Sequence, residues 1–183
     1  MKRVGILGGG QLGLMLAEAL QQLDAEVHVF DPDPEAPAAR RLPHVTTAQW
    51  SDGAALARFA SGCDVLTYEF ENVPAEPLGA LEGRVPILPS VAILETTQDR
   101  ILEKEFLRKE GLPAARSAAV REDDDAFAAA EEIGYPLILK TARGGYDGKG
   151  QHWIASAEAL AQAAEMRPWV LEEPIEIAAE LSC

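Results

Sequence analysis

The run Ile138-Leu139-Lys140-Thr141-Ala142-Arg143-Gly144-Gly145-Tyr146-Asp147-Gly148-Lys149-Gly150-Gln151 holds the residue types and spacing best suited to chemistry. An apolar stretch that reads as a buried strand delivers a lysine and then enters a glycine-rich loop. Such a loop can fold its backbone N–H groups around phosphate oxygens while the lysine supplies a point charge to the same anion, a combination suited to a nucleoside triphosphate. The plainer reading makes Lys140 a strand-end cation with its ammonium in water and the loop a hairpin connection. Four glycines interleaved with Tyr146, Asp147 and Lys149 exceed what a hairpin needs. The loop is not of the Walker A kind, because Gly148-Lys149-Gly150 leads into another apparent strand and no Gly-Lys-Ser/Thr opens a helix.

A second candidate lies near the N-terminus. Gly8, Gly10 and Gly13 stand at the Gly-x-Gly-x-x-Gly spacing after an apolar run, and Asp31 follows at the end of the next one, roughly where a ribose-binding acid would lie. Small residues there allow close backbone approach, and a helix N-terminus offers free N–H groups to an anion. The same glycines equally serve any tight strand-to-helix turn, so a dinucleotide site and pure turn chemistry both stand at this point.

The elements that must carry these residues follow from periodicity. Residues 4–7 read as a buried strand, 11–23 as a helix with Leu12, Met15, Leu16, Ala19 and Leu20 on one face, and 26–30 as a second strand. Strand, glycine turn, helix and strand form a βαβ unit with a parallel sheet and right-handed crossover. Further strands are expected near Val45 and over 64–68 and 85–88, with helices over 52–60 and 75–81, making a small doubly wound domain. A charged helix over 98–110, stopped by Gly111-Leu112-Pro113, bridges to a second unit. That unit reads as strands over 115–120, 136–140, 151–154 and 169–172 and helices over 123–133 and 156–166, an α+β lobe. The chain stops at Glu180-Leu181-Ser182-Cys183, at what reads as the beginning of another strand and so as a truncation.

Composition narrows the partners. A chain of 183 residues, 48% hydrophobic, can bury a sizeable core. With 16 Lys and Arg against 30 Asp and Glu, the formal charge of -14 argues against nucleic acid or an anionic membrane surface as a partner. Any phosphate must therefore find a local basic site. Cys63 and Cys183 suggest neither a disulfide framework nor a metal spacing, and Cys63 reads as a buried thiol. No stretch approaches the roughly 20 apolar residues of a membrane span, and the N-terminus lacks a signal-peptide core, so a cytoplasmic enzyme fits. His28, His44 and His152 are scattered singly, and no Ser/His/Asp or Cys/His pattern for covalent catalysis stands out.

The lysine strand, the loop 144–151 and the later Val170-Leu171-Glu172-Glu173 resemble the smaller nucleotide-binding lobe of ATP-grasp ligases. Within that group the resemblance is to the 5-(carboxyamino)imidazole ribonucleotide synthetases. It is carried by Gly8-Gly9-Gly10-Gln11-Leu12-Gly13, Asp31-Pro32-Asp33 with Ala36-Pro37-Ala38, Tyr68-Glu69-Phe70-Glu71-Asn72-Val73-Pro74, and Gln98-Asp99-Arg100 with Glu103-Lys104. The implied fold is α/β: a Rossmann-like pre-ATP-grasp domain over 1–97, then the linker helix and the smaller α+β ATP-grasp lobe over 98–183, with only the start of the larger lobe.

The resemblance implies an ATP-dependent carboxylation of aminoimidazole ribonucleotide with bicarbonate, through carboxyphosphate, in purine biosynthesis, by a homodimer. It implies that Arg100 and Lys140 contact ATP phosphates, and that Gly145, Tyr146, Asp147, Gly148, Lys149, Gly150 and Gln151 close over them. Glu172, Glu173, Pro174 and Ile175 would meet adenine, and Glu180 would hold the ribose hydroxyls. The ribonucleotide is expected near Tyr146, Asp147 and Lys149, facing Glu71, with Gly10 and Gln11 alongside. Glu69 and Glu71 read equally as acids near the start of a helix at Pro74. Lys104 reads as part of a charged helix face alternating Asp99, Arg100, Glu103, Lys104 and Glu105, and is left as structural. The Mg2+ ligands of such an enzyme are expected beyond Cys183, so no metal ligand is assigned in this chain. Leu14 stands where the family carries an arginine, which removes any phosphate contact that arginine would make. Two other readings stay open: an NAD(P)-binding oxidoreductase built on Gly8, Gly10, Gly13 and Asp31, and an inactive structural fragment.

Overall fold

A computed structural model describes residues 1–145, 149–163 and 167–179. The chain divides into two compact units, Met1–Glu95 and Thr96–Cys183.

The first unit contains β1 (Arg3–Leu7), α1 (Gln11–Gln22), β2 (Glu26–Asp31), β3 (Val45–Thr47), α2 (Gly53–Ser61), β4 (Val65–Tyr68) and α3 (Ala75–Gly79). Its four strands are parallel in the order β3-β2-β1-β4. Successive side chains leave a strand on opposite faces, so Ile6 and Leu7, both fully buried, enter different cores. Ile6 packs with Ala17, Val27, Val29 and Ala38 on the α1 side. Leu7 packs with Phe30, Leu56, Phe59 and Leu66 on the α2 side. Burial on both faces is the reason these strands read as continuous apolar runs.

Two expectations need correction here. The buried face of α1 is Gly13 and Ala17, with Leu14, Leu16 and Leu20 beside them, while Leu12 and Met15 are exposed. The cause is close approach: a Cβ on Gly13 would collide with the Gly8 carbonyl, so the small residues rather than the largest ones face the sheet. The strand expected over 85–88 is reduced to one parallel bridge, Leu66 to Ile87. Pro86 and Pro89 flank it and have no N–H to extend the ladder.

The helix expected over 98–110 is α5 (Arg100–Lys109), and an unexpected helix, α4 (Val91–Gln98), comes just before it. Asp99 separates them by adopting an extended backbone and capping α5, its carboxylate accepting from the N–H groups of Ile101 and Leu102. The second unit continues with β5 (Ser117–Val120), α6 (Ala126–Ile133), β6 (Leu137–Thr141), β7 (Gln151–Ile154), α7 (Ala157–Gln162) and β8 (Trp169–Glu172). The strands form an antiparallel sheet in the order β5-β8-β6-β7. Leu137, Leu139, Trp169 and Leu171 face α6 and α7. The alternate positions turn the other way, where Val170 and Ala142 meet Ile101 of α5. Lys140 and Glu172 belong to that second set.

Candidate functional site

The pleat decides which polar groups meet. Ile138 is paired with Glu172 and Lys140 with Val170, so Lys140 and Glu172 are diagonal neighbours on the face that α5 covers. Lys140 Nζ donates to Glu172 Oε2 at 2.6 Å. From α5, Lys104 Nζ stands 3.0 Å from Oε1, an ion pair whose geometry falls short of a directed hydrogen bond and leaves that oxygen without a hydrogen-bond partner. Glu172 is 4% exposed, the one buried charged residue among those described. Burial pushes its carboxyl up, but the two ammonium groups, Lys140 and Lys104, outweigh burial and hold it below the ordinary glutamate range. The cluster is two ammonium groups on one carboxylate.

The glycine loop starts one residue after β6, and its neck is fixed by backbone groups. Thr141 N donates to the Gly150 carbonyl at 3.0 Å. Gly145 and Gly150 both have positive φ, 76° and 73°. A Cβ on Gly145 would collide with the Lys149 carbonyl, and one on Gly150 would lie 2.7 Å from Thr141 Oγ1. Only glycine fits either position. Arg100 braces the entry: its guanidinium donates to the carbonyls of Thr141 at 2.7 Å, Gly144 at 2.6 Å and Gly145 at 2.8 Å. Its backbone N–H reaches the Ala142 carbonyl at 2.8 Å. Arg143 in turn pairs with Asp99 at 3.0 Å. Three of the five guanidinium donors of Arg100 are thus spent on the loop, and two remain for an anion.

The other expected residues are distributed as follows. Lys149 and Gln151 are exposed, and Gln151 pairs with Lys140 across β6 and β7. Glu173 is drawn onto Arg116, accepting from its backbone N–H at 2.8 Å and from Nε at 2.7 Å, and these contacts lower its carboxyl below the ordinary range. Pro174 is half-buried and Ile175 exposed. Tyr146, Asp147, Gly148 and Glu180 lie outside the described residues.

In the first unit, both acids near the glycine turn point into it. Asp31 accepts from Gly9 N at 2.6 Å and from Asp33 N at 2.7 Å, so its two oxygens secure the turn. Glu69 follows β4 and its side chain lies against the glycine turn and the start of α1, close to Gly8, Gly10 and Gly13. A Cβ on Gly8 or Gly10 would come within 2.9 Å of Glu69 Oε1 or closer. Burial pushes the Glu69 carboxyl up, the backbone of Gly10 and Gly13 partly offsets that, and Asp31 and Glu71 add to it. The place a dinucleotide's pyrophosphate would take is therefore filled by the protein's own carboxylate, which weighs against the oxidoreductase reading. Gln11 and Glu71 are exposed at this rim, with Asn72 Nδ2 donating to Glu71 at 3.1 Å.

Two residues of these sites, Lys104 and Glu69, carry no site role in the sequence reading, which leaves Lys104 as structural and takes Glu69 no further than an acid near a helix start. Lys104 had a usable signal, since Arg100 and Lys104 are four apart and share a helix face. Glu69 had none beyond its place at the carboxyl end of a strand.

Residues 1–98 match the ribonucleotide synthetase preATP-grasp domain. The chain belongs to that family. Residues 105–183 match the ATP-grasp domain. Among curated relatives, N5-carboxyaminoimidazole ribonucleotide synthase of Staphylococcus haemolyticus is 36% identical over 182 residues, 98% of this chain and 49% of that protein. A bifunctional purine synthesis protein of Dictyostelium discoideum is 42% identical over 160 residues, 87% of this chain and 16% of that one. The solved Staphylococcus aureus N5-carboxyaminoimidazole synthetase, complexed with ADP, superposes with a TM-score of 0.89 at 36% identity, covering 96% of this chain and 48% of that one. The Aspergillus clavatus enzyme, in complex with ADP and 5-aminoimidazole ribonucleotide, gives 0.81 at 34% identity, over 93% and 46%. The chain spans about half the length of the synthases it matches.

Among the described residues of this preATP-grasp family chain, no group of three His, Cys, Asp or Glu side chains could hold a metal ion, and no helix is long and apolar enough to cross a membrane.

Proposed function

We propose that this chain supplies the nucleotide-phosphate side of an ATP-dependent N5-carboxyaminoimidazole ribonucleotide synthase, with residues 1–97 and 98–183 as its two functional units. The observation that carries the reading is the buried Lys104–Glu172–Lys140 cluster on the sheet face beside a glycine loop whose neck admits no side chain.

In this reading Lys140 and the two remaining donors of Arg100 meet ATP phosphates, and 145–151 cover them. Residues 172–175 receive adenine and Glu180 the ribose. Phosphoryl transfer to bicarbonate gives carboxyphosphate and ADP. Attack by the amine of aminoimidazole ribonucleotide on the carboxyphosphate carbon expels phosphate and leaves the carbamate. Glu71, Gly10, Gln11, Tyr146, Asp147 and Lys149 are the residues assigned to that ribonucleotide. The protein's contribution is positioning and fixed positive charge, which is what transfer of a phosphoryl group asks for. The Mg2+ ligands are assigned to the part of the enzyme beyond Cys183, and no step is routed through the metal here. A cytoplasmic homodimer completes the proposal.

ATP titration by calorimetry is the direct test. Lys140→Met is expected to weaken ATP binding by about tenfold or more, the effect of removing one phosphate-facing charge from a partly buried site. Unchanged ATP affinity in that variant would remove Lys140 from the role. In a protein that continues this chain to the length of its relatives, ADP release should depend on both bicarbonate and aminoimidazole ribonucleotide.

A further inference from the structure

A carboxylate shared by two ammonium groups leaves a definite charge balance. Glu172 Oε2 is 2.6 Å from Lys140 Nζ and Oε1 is 3.0 Å from Lys104 Nζ, and the side chains of the two lysines are only 22% and 17% exposed. One carboxylate cancels one ammonium, so the cluster carries a single net positive charge. Without Lys104, Lys140 and Glu172 would form a closed, neutral, largely buried pair. An arriving polyphosphate would then have to compete with Glu172 for the Lys140 ammonium, in surroundings that screen such a pair poorly. The other cations around it are directed elsewhere: Arg116 is held by Glu173 at 2.7 Å, Arg121 by Glu105 at 2.7 Å, and Arg108, which lines the same cavity as Lys104, donates to the Ser117 carbonyl at 3.5 Å.

We propose that Lys104 is a positioning residue: it neutralises Glu172 and so leaves the charge of Lys140 available to a polyphosphate that Lys104 itself does not touch. The proposal rests on the reading of Lys140 as a phosphate ligand.

Inorganic tripolyphosphate, which has no adenine to engage residues 172–175, is the probe, titrated into the full chain by calorimetry. Lys104→Met is expected to weaken its binding about tenfold, and Lys104→Arg to stay within about threefold of the unaltered chain, since it keeps the charge. The double variant Lys104→Met/Glu172→Gln restores the net charge and should recover most of the loss. Failure of that double variant to recover affinity would assign Lys104 a packing role and overturn the proposal. So would unchanged binding in Lys104→Met.

A second readout needs no ligand. The acylation rate of Lys140 by acetic anhydride, followed by mass spectrometry, should fall about threefold or more in Lys104→Met, because Glu172 then engages Lys140 alone and undivided. Lys104→Arg should acylate like the unaltered chain. An equal or faster rate in Lys104→Met would overturn the proposal. If the unaltered chain bound neither ATP nor tripolyphosphate, the phosphate-binding reading would fall, while the acylation rates would still decide whether Lys104 controls the charge of Lys140.

Discussion

At the scale of single residues, Glu172 governs the second unit's site. A buried carboxylate between two lysines contributes little or nothing over an apolar core when complete, yet losing its partners costs about 3–5 kcal/mol, so its value lies in fixing where the lysines point. Its carboxyl is lowered in the folded protein, so the linked stability is present above the ordinary glutamate value of 4.5 and is lost as pH falls through the lower folded value. The melting temperature of the unaltered chain should therefore exceed that of Glu172→Gln at neutral pH, and the gap should close as the pH is brought below 4.5. A gap independent of pH would mean that Glu172 acts by packing and not by charge. Glu69 behaves differently: its carboxyl is raised, so its ionisation costs stability, and the cost grows as pH rises from the ordinary range to the folded value.

At the scale of elements, the β6–loop–β7 hairpin is the working part. Pairing of Lys140 with Gln151 sets its base, and the Thr141–Gly150 and Arg100 hydrogen bonds set its neck. Gly145→Ala would place a Cβ against the Lys149 carbonyl at a φ of 76°, forcing the neck open at a strain of about 1–3 kcal/mol. ATP affinity in Gly145→Ala should fall at least about tenfold, with the helical circular dichroism of the chain unchanged. Wild-type affinity would show that the neck does not shape the loop. The α1 turn offers a contrast, since the same residue type there serves packing of helix on strand, with Gly9 N donating to Asp31 and the Glu69 side chain filling the space beside it.

At the scale of the whole molecule, the two units have separate cores. Leu66 is fully buried in the first unit and lies against Gly5 and the Ile87 bridge. Leu66→Ala should destabilise that unit by about 2–5 kcal/mol. In calorimetric melts it should shift one transition and leave ATP to stabilise the other, while a single shifted transition would show that the units unfold together.

The sequence by itself determined the βαβ start, the alternation of elements and the lysine strand with its glycine loop, because apolar periodicity and glycine spacing are local properties of the chain, and the family through the resemblance its motifs carry. The resemblance added Arg100 to Lys140 as an expected phosphate contact. Tertiary structure decided the rest. Which face of α1 is buried depended on how closely Gly13 approaches Gly8, and that is a distance between elements. The helix α4 ahead of the expected one went unread, and Asp99 divides the two by capping α5, a choice visible only with its hydrogen bonds. Lys104 looked like an ordinary surface charge until α5 lay over the sheet and brought it to Glu172, a residue 68 positions away with which it shares no local pattern.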